Sequence, residues 1–81
     1  MHQPQTFAVN GDAIREERMQ AGMTQGDLAE AAGISRRYVR SLEDGTRRHM
    51  RPPRYVALRQ ALQATDERLL APPRPKPPER K

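Results

Sequence analysis

The stretch MTQGDLAEAAGISRRYVRSLEDG, Met23–Gly45, sets two short amphipathic segments on either side of one glycine, Gly33. Thr24 is a good N-cap, and Asp27 stands at the N3 place of a capping box. Leu28, Ala29 and Ala32 then share one face of a short helix that Gly33 ends. Ile34 occupies the turn, and Ser35 caps a second helix from about Arg36 to Asp44, with Gly45 as its stop. Val39 and Leu42 form the inward face of that helix. Its other face carries Arg36, Arg37, Arg40 and Ser41.

Upstream, Asn10 or Asp12 can cap a first helix that ends at Gly22. Ile14, Arg18 and Ala21 lie at i, i+4 and i+7 on one face. Arg18 is therefore a charge on the core-facing side and needs a partner. Glu43, one turn on from Val39 at the edge of the apolar face, can reach it. Met19 and Met23 are expected in the core. Residues 1–9 read as an extended arm whose Phe7 docks on the core, the alternative being a single added edge strand.

Downstream, residues 46–51, TRRHMR, read as a basic loop. Pro52 and Pro53 suit the first turn of a helix, where no internal N–H partner is needed. Tyr55, Leu58, Ala61 and Leu62 recur at helical spacing, and Thr65 or Asp66 can cap a last short helix holding Leu69 and Leu70. From Pro72 onward, PPRPKPPERK supports neither helix nor sheet and reads as a disordered, polyproline-leaning tail. The expectation is an all-α chain of five short helices, with an arm at 1–9, a folded domain at 10–71 and a basic Pro-rich tail at 72–81.

The totals narrow the function. The chain has 81 residues, 35% hydrophobic, with three aromatics, so the core must be small. Without cysteine, neither a disulfide nor a Cys-based zinc site can staple it. The two histidines, His2 and His49, lack metal-ligand spacing, and no metal or other cofactor is expected. No apolar run is long enough to span a membrane. The N-terminus lacks a secretory pattern, so a cytoplasmic, nucleoid-associated protein is expected. No paired carboxylates, nucleophile–base set or glycine-rich phosphate loop suggests an enzyme. Charge is uneven: residues 1–45 carry five arginines against seven acids, and residues 46–81 carry ten Arg or Lys against three acids. That asymmetry points to a polyanionic partner. Thirteen of the fifteen basic residues are arginine, whose planar fork suits phosphates and guanine edges.

Two helices joined by a short Gly-containing turn form the helix-turn-helix unit. The major groove admits one α-helix, and the preceding helix crosses the DNA backbone. The run Met23-Thr24-Gln25, Leu28-Ala29, Gly33-Ile34-Ser35 and Leu42-Glu43-x-Gly45 resembles the phage-repressor and Cro family, the XRE type. The resemblance extends over about residues 10–70. It implies a lambda-repressor-like fold and a sequence-specific, double-stranded DNA-binding regulator of transcription. It implies base reading by Arg36, Arg37 and Ser41, a phosphate anchor at Gln25, and an ion pair between Arg18 and Glu43. Arg40 is placed with the base readers, with phosphate contact or simple exposure as alternatives. Thr24, Tyr38, Arg47, Arg48 and Arg51 complete the expected phosphate set, in a charge run that also includes Arg54. Tyr38 either stacks on sugar-phosphate or covers the core.

The family's habit implies a homodimer on an inverted-repeat operator, for which Leu69, Leu70 and the Phe7 arm are the candidate contacts. An antitoxin that also captures a toxin through residues 66–81 is the alternative. Three positions depart from the family pattern. Gly26 replaces a helix former, at a cost of up to about 1 kcal/mol. The loop at 46–53 is longer by about two residues than in short phage repressors. Gln63 stands where a glycine is common.

Overall fold

The computed structural model describes residues 6–71. Five helices follow one another: α1 (Gly11–Gln20), α2 (Gln25–Ala32), α3 (Arg36–Asp44), α4 (Pro52–Leu62) and α5 (Asp66–Leu69). Their starts follow local chemistry. Asn10 accepts from the N–H groups of Asp12 and Ala13, so it caps α1 and Asp12 does not. Thr24 and Asp27 complete a reciprocal capping box on α2, each side chain bonded to the other's backbone N–H. Ser35 accepts from Tyr38 N–H at the head of α3. Thr65 occupies the N-cap of α5 without a side-chain bond.

Helix ends follow the same logic. Gly33 and Gly45 close α2 and α3 at φ of 72° and 87°, the left-handed region that only glycine enters without strain. Gln63 closes α4 at φ 53°, the only non-glycine residue among those described with positive φ. The turn expected at a glycine therefore forms here with a side chain.

α2 packs on α3 and α4, and α1 packs on α3 and α5. The core is Ile14, Leu28, Ala29, Ala32, Val39, Leu42, Tyr55, Leu58, Leu62 and Leu69, joined by Val9 and Met50. Gly11, at the head of α1, runs so close to the end of α3 that a Cβ there would lie 2.1 Å from the Leu42 carbonyl oxygen.

Two short strands add to the all-α expectation. β1 (Phe7–Ala8) pairs antiparallel with β2 (His49–Met50), Phe7 opposite Met50. Val9 continues the line, its N–H donating to Arg48 O at 2.9 Å and its backbone bridging Leu70. Ala71 N–H donates to Ala8 O at 3.0 Å, so residues 7–9 lie between the 46–51 loop and the segment that follows α5. The strand alternative for residues 1–9 thus holds at 7–9, and the longer loop is taken up by β2. Phe7 still docks, its ring 5.1 Å from that of Tyr55.

Two expectations are corrected. Met19 is 57% exposed rather than in the core, because it stands five residues, about 140° around the helix, from Ile14; Met23 does pack against the core. Leu69 is fully buried within its own chain, so it cannot meet a dimer partner. The tail expected at 72–81 lies outside the described residues.

Candidate nucleic-acid interface

α3 buries Val39 and Leu42 and turns Arg36, Arg37 and Arg40 to solvent, with Ser41 half-buried beside them. At about 100° per residue these four span about 140° of the helix surface. The stripe is a continuous face of donors along the outside of the molecule. Ser41 Oγ donates to Arg37 O at 2.9 Å, so its proton is used within the helix and its oxygen remains an acceptor. Arg36 reaches back over the first turn of α2: a Cβ on Gly26 would sit 3.6 Å from its Nε. Arg40 lies near Asp44, whose carboxyl is held below its usual pKa first by the Thr46 hydroxyl and N–H and secondarily by Arg40's charge.

The orientation of α3 is fixed from behind. Arg18 Nε donates to Glu43 Oε2 at 2.6 Å and Nη2 to Oε1 at 3.1 Å, while Nη1 donates to Met23 O at 2.8 Å. The two side chains are only 12% and 5% exposed. The expected ion pair is therefore present, bidentate, and joined to the α1–α2 turn. Gln25 Nε2 also donates to Glu43 Oε1, at 3.1 Å. That bond uses one amide N–H of Gln25 and leaves the second, beside the head of α2 where a phosphate is favoured. Thr24, at the N-cap, accepts from Asp27 N–H and keeps its hydroxyl proton.

The loop arginines divide. Arg47 and Arg54 both stand over the Tyr38 ring, at 4.7 and 5.2 Å from its centroid. Each such contact contributes about 0.5–1 kcal/mol at an exposed site. Tyr38 is half-buried and packs against the core, the second of its two expected roles. Arg51 lines a cleft together with Tyr38, Arg47 and Arg54. Arg48 does not: its Nε donates to Gly45 O at 3.2 Å. Sequence reasoning could not separate these arginines, because their difference lies in the path of the loop. It also missed Gln25 on Glu43, which only the meeting of α2 and α3 creates. Among the described residues no group of His, Cys, Asp or Glu is placed to hold a metal ion.

A helix anchored behind by a buried ion pair, with guanidiniums along its free face and a second helix capped beside it, defines a helix-turn-helix DNA-binding protein. The chain belongs to the helix-turn-helix domain family, whose model matches residues 11–71, and within it to the phage-repressor and Cro, or XRE, type. No curated protein sequence matches it. Among solved structures it resembles the restriction-modification controller protein C.AhdI from Aeromonas hydrophila, with 31% identity, TM-score 0.66, and coverage of 72% of this chain and 86% of that one. It also resembles the clp gene regulator ClgR from C. glutamicum, with 33% identity, TM-score 0.61, and coverage of 68% and 70%. The biofilm master regulator SinR, solved in complex with DNA, shares the fold at 22% identity, TM-score 0.68, and coverage of 72% and 95%. The chain is a DNA-binding regulator of transcription. No described helix is long and apolar enough to cross a membrane.

Proposed function

We propose that the protein is a repressor that occupies an inverted-repeat operator as a homodimer, with α3 of each copy in the major groove. Its activity is binding, not catalysis, and its place is the cytoplasm, on the nucleoid. The observation that carries this reading is the exposed arginine stripe on α3, held in one orientation by the Arg18–Glu43–Gln25 network. In it Arg36, Arg37 and Arg40 supply forks for guanine edges and Ser41 an acceptor, since bidentate Arg to guanine O6 and N7 is the commonest specific contact. Thr24, Gln25, Tyr38, Arg47 and Arg51 fix the register on the phosphates. The domain at 10–71 binds, and residues 7–9 of the arm support the loop at 46–51.

The controller proteins and gene regulators it resembles favour a regulatory role. A toxin partner has less support: of the segment 66–81 only 66–71 is described, and there Leu69 is turned into the core. Methylation interference on a bound site tests the groove assignment. Guanine N7 lies in the major groove, so methylation at a few guanines per half-site is expected to block binding. Binding indifferent to every N7 methyl group would remove α3 from the major groove.

A further inference from the structure

We propose that Gly26 is a positioning residue that determines specificity: because it carries no side chain, the Arg36 guanidinium leans over the first turn of α2, and that lean sets the base pair Arg36 reads. The proposal rests on the base-reading role given to Arg36 above and adds the residue that aims it.

Gly26 is the second residue of α2, where glycine is a poor helix former. It is not among the glycines with positive φ, so no turn requires it. What it faces is the start of α3. The three heavy atoms nearest to a Cβ added at Gly26 are Arg36 Nε at 3.6 Å, Arg36 Nη2 at 3.7 Å and Thr24 Oγ1 at 3.7 Å. The central carbon of the guanidinium is not among them, so the Nε–Nη2 edge, and not the centre of the face, is turned toward Gly26. That leaves the end-on fork, Nη1 with Nη2, for a guanine edge.

No acid holds the group. The ion pairs among the described residues are Arg18–Glu43, Arg59–Asp66 and Arg68–Glu17. Asp27, the acid in the first turn of α2, gives Oδ2 to the Thr24 N–H at 3.0 Å. Arg36 borders an open cleft with Thr24, Gln25 and Gly26. A long side chain on an open surface takes the direction its neighbours leave free, and here that direction runs across residue 26. An alanine Cβ at 26 makes an ordinary van der Waals contact and leaves the lean unchanged. A longer side chain extends into the place of the Nε–Nη2 edge. The atoms it meets are the far end of a flexible arginine, so the fold survives and the direction of the fork changes. Arg37 stands about 100° further around α3 and contributes none of the atoms nearest to Gly26, so its base pair is unaffected.

The test measures affinities of the full chain for its selected site and for each single-base-pair variant of that site. The proteins are the parent, Gly26→Ala, Gly26→Leu, Arg36→Ala and the double variant Gly26→Leu/Arg36→Ala. Arg36→Ala identifies its base pair by losing about 5- to 150-fold of discrimination there. Gly26→Leu is expected to lose discrimination at that same base pair and to keep it at the Arg37 base pair, while Gly26→Ala matches the parent. The double variant is expected to discriminate there no worse than Arg36→Ala alone, the mark of two residues acting through one contact. A Gly26→Leu chain that keeps the Arg36 preference would overturn the proposal. So would uniform weakening with discrimination intact, which marks a side chain that only obstructs the DNA backbone. An equal loss in Gly26→Ala would overturn it too, since that Cβ fits beside Arg36. Thermal unfolding separates misreading from misfolding; should Gly26→Leu fail to fold, Gly26→Glu decides, with the same loss expected because its carboxylate would pair with Arg36. If no site is selected from random duplexes, the DNA reading falls and this role with it. If a site is selected but Arg36→Ala changes discrimination at no base pair, only the aiming role of Gly26 falls.

Discussion

Arg18 and Glu43 meet across α1 and α3 in a two-pronged pair, 2.6 and 3.1 Å long, in which every nitrogen of the guanidinium has an acceptor. The same carboxylate receives Gln25, so one acid joins three helices. Glu43→Gln or Arg18→Met would leave a nearly buried charge alone. Each is expected to lose about 3–5 kcal/mol of stability by thermal or urea unfolding. That is a large share of the roughly 5–15 kcal/mol available to a domain. The double variant Arg18→Met/Glu43→Leu is expected to recover much of the stability while binding DNA more weakly, because Gln25 loses its orienting acceptor.

Two glycines inside helices should respond in opposite directions. Gly11→Ala drives a Cβ into the Leu42 carbonyl, and backbone must move. A loss of about 1–3 kcal/mol is expected, the usual cost of overpacking. At Gly26 the nearest atom to an added Cβ is 3.6 Å away, an ordinary contact. Gly26→Ala is expected to gain up to about 1 kcal/mol from helix propensity. Parallel unfolding curves of the two variants check both signs.

The end of α4 is open to improvement. Gln63 holds φ 53°, where a Cβ is strained. Gln63→Gly is expected to stabilise by up to about 1 kcal/mol, net of the extra freedom glycine gives the unfolded chain. The midpoint of unfolding measures it.

Tyr55 gives an alkaline signature. Burial first, and the hydrogen bond to Asp66 second, push its phenol from 10.0 up to about 12. The folded state therefore holds the proton more tightly than the unfolded state. The stability this contributes is fully present below pH 10 and is lost as the pH rises toward 12. Tyr55→Phe is expected to remove that fall from a stability-against-pH curve and leave the neutral-pH dependence alone.

Much of this was legible in the sequence because it is local. Thr24 with Asp27, Ser35, Gly33 and Gly45 set helix boundaries through chemistry within four residues, and the structure places the caps there. The Arg18–Glu43 pair was legible too, since a charge on an apolar face must find a partner. What escaped depends on distant segments meeting. Strands of two residues, Phe7–Ala8 and His49–Met50, carry no alternation to read. The demand on Gly11 comes from Leu42, thirty-one positions away. The division of Arg47 and Arg54 from Arg48 follows from where the loop and α4 place them around Tyr38. Met19 was open to correction from helical angle alone.

The base reading proposed for Arg37 separates specific recognition from charge. Arg37→Ala is expected to lose about 1–3 kcal/mol of discrimination at one base pair while keeping the salt slope of a protein with intact phosphate contacts. Affinities for single-substituted sites check it.

The most direct measurement is selection of the full chain against a random duplex pool near physiological salt. The expected result is an enriched inverted repeat whose half-site centres lie about one helical turn, roughly 34 Å, apart. A pool that shows no enrichment, with binding that vanishes as salt rises, would contradict a sequence-specific regulator and leave only attraction between an arginine-rich surface and DNA.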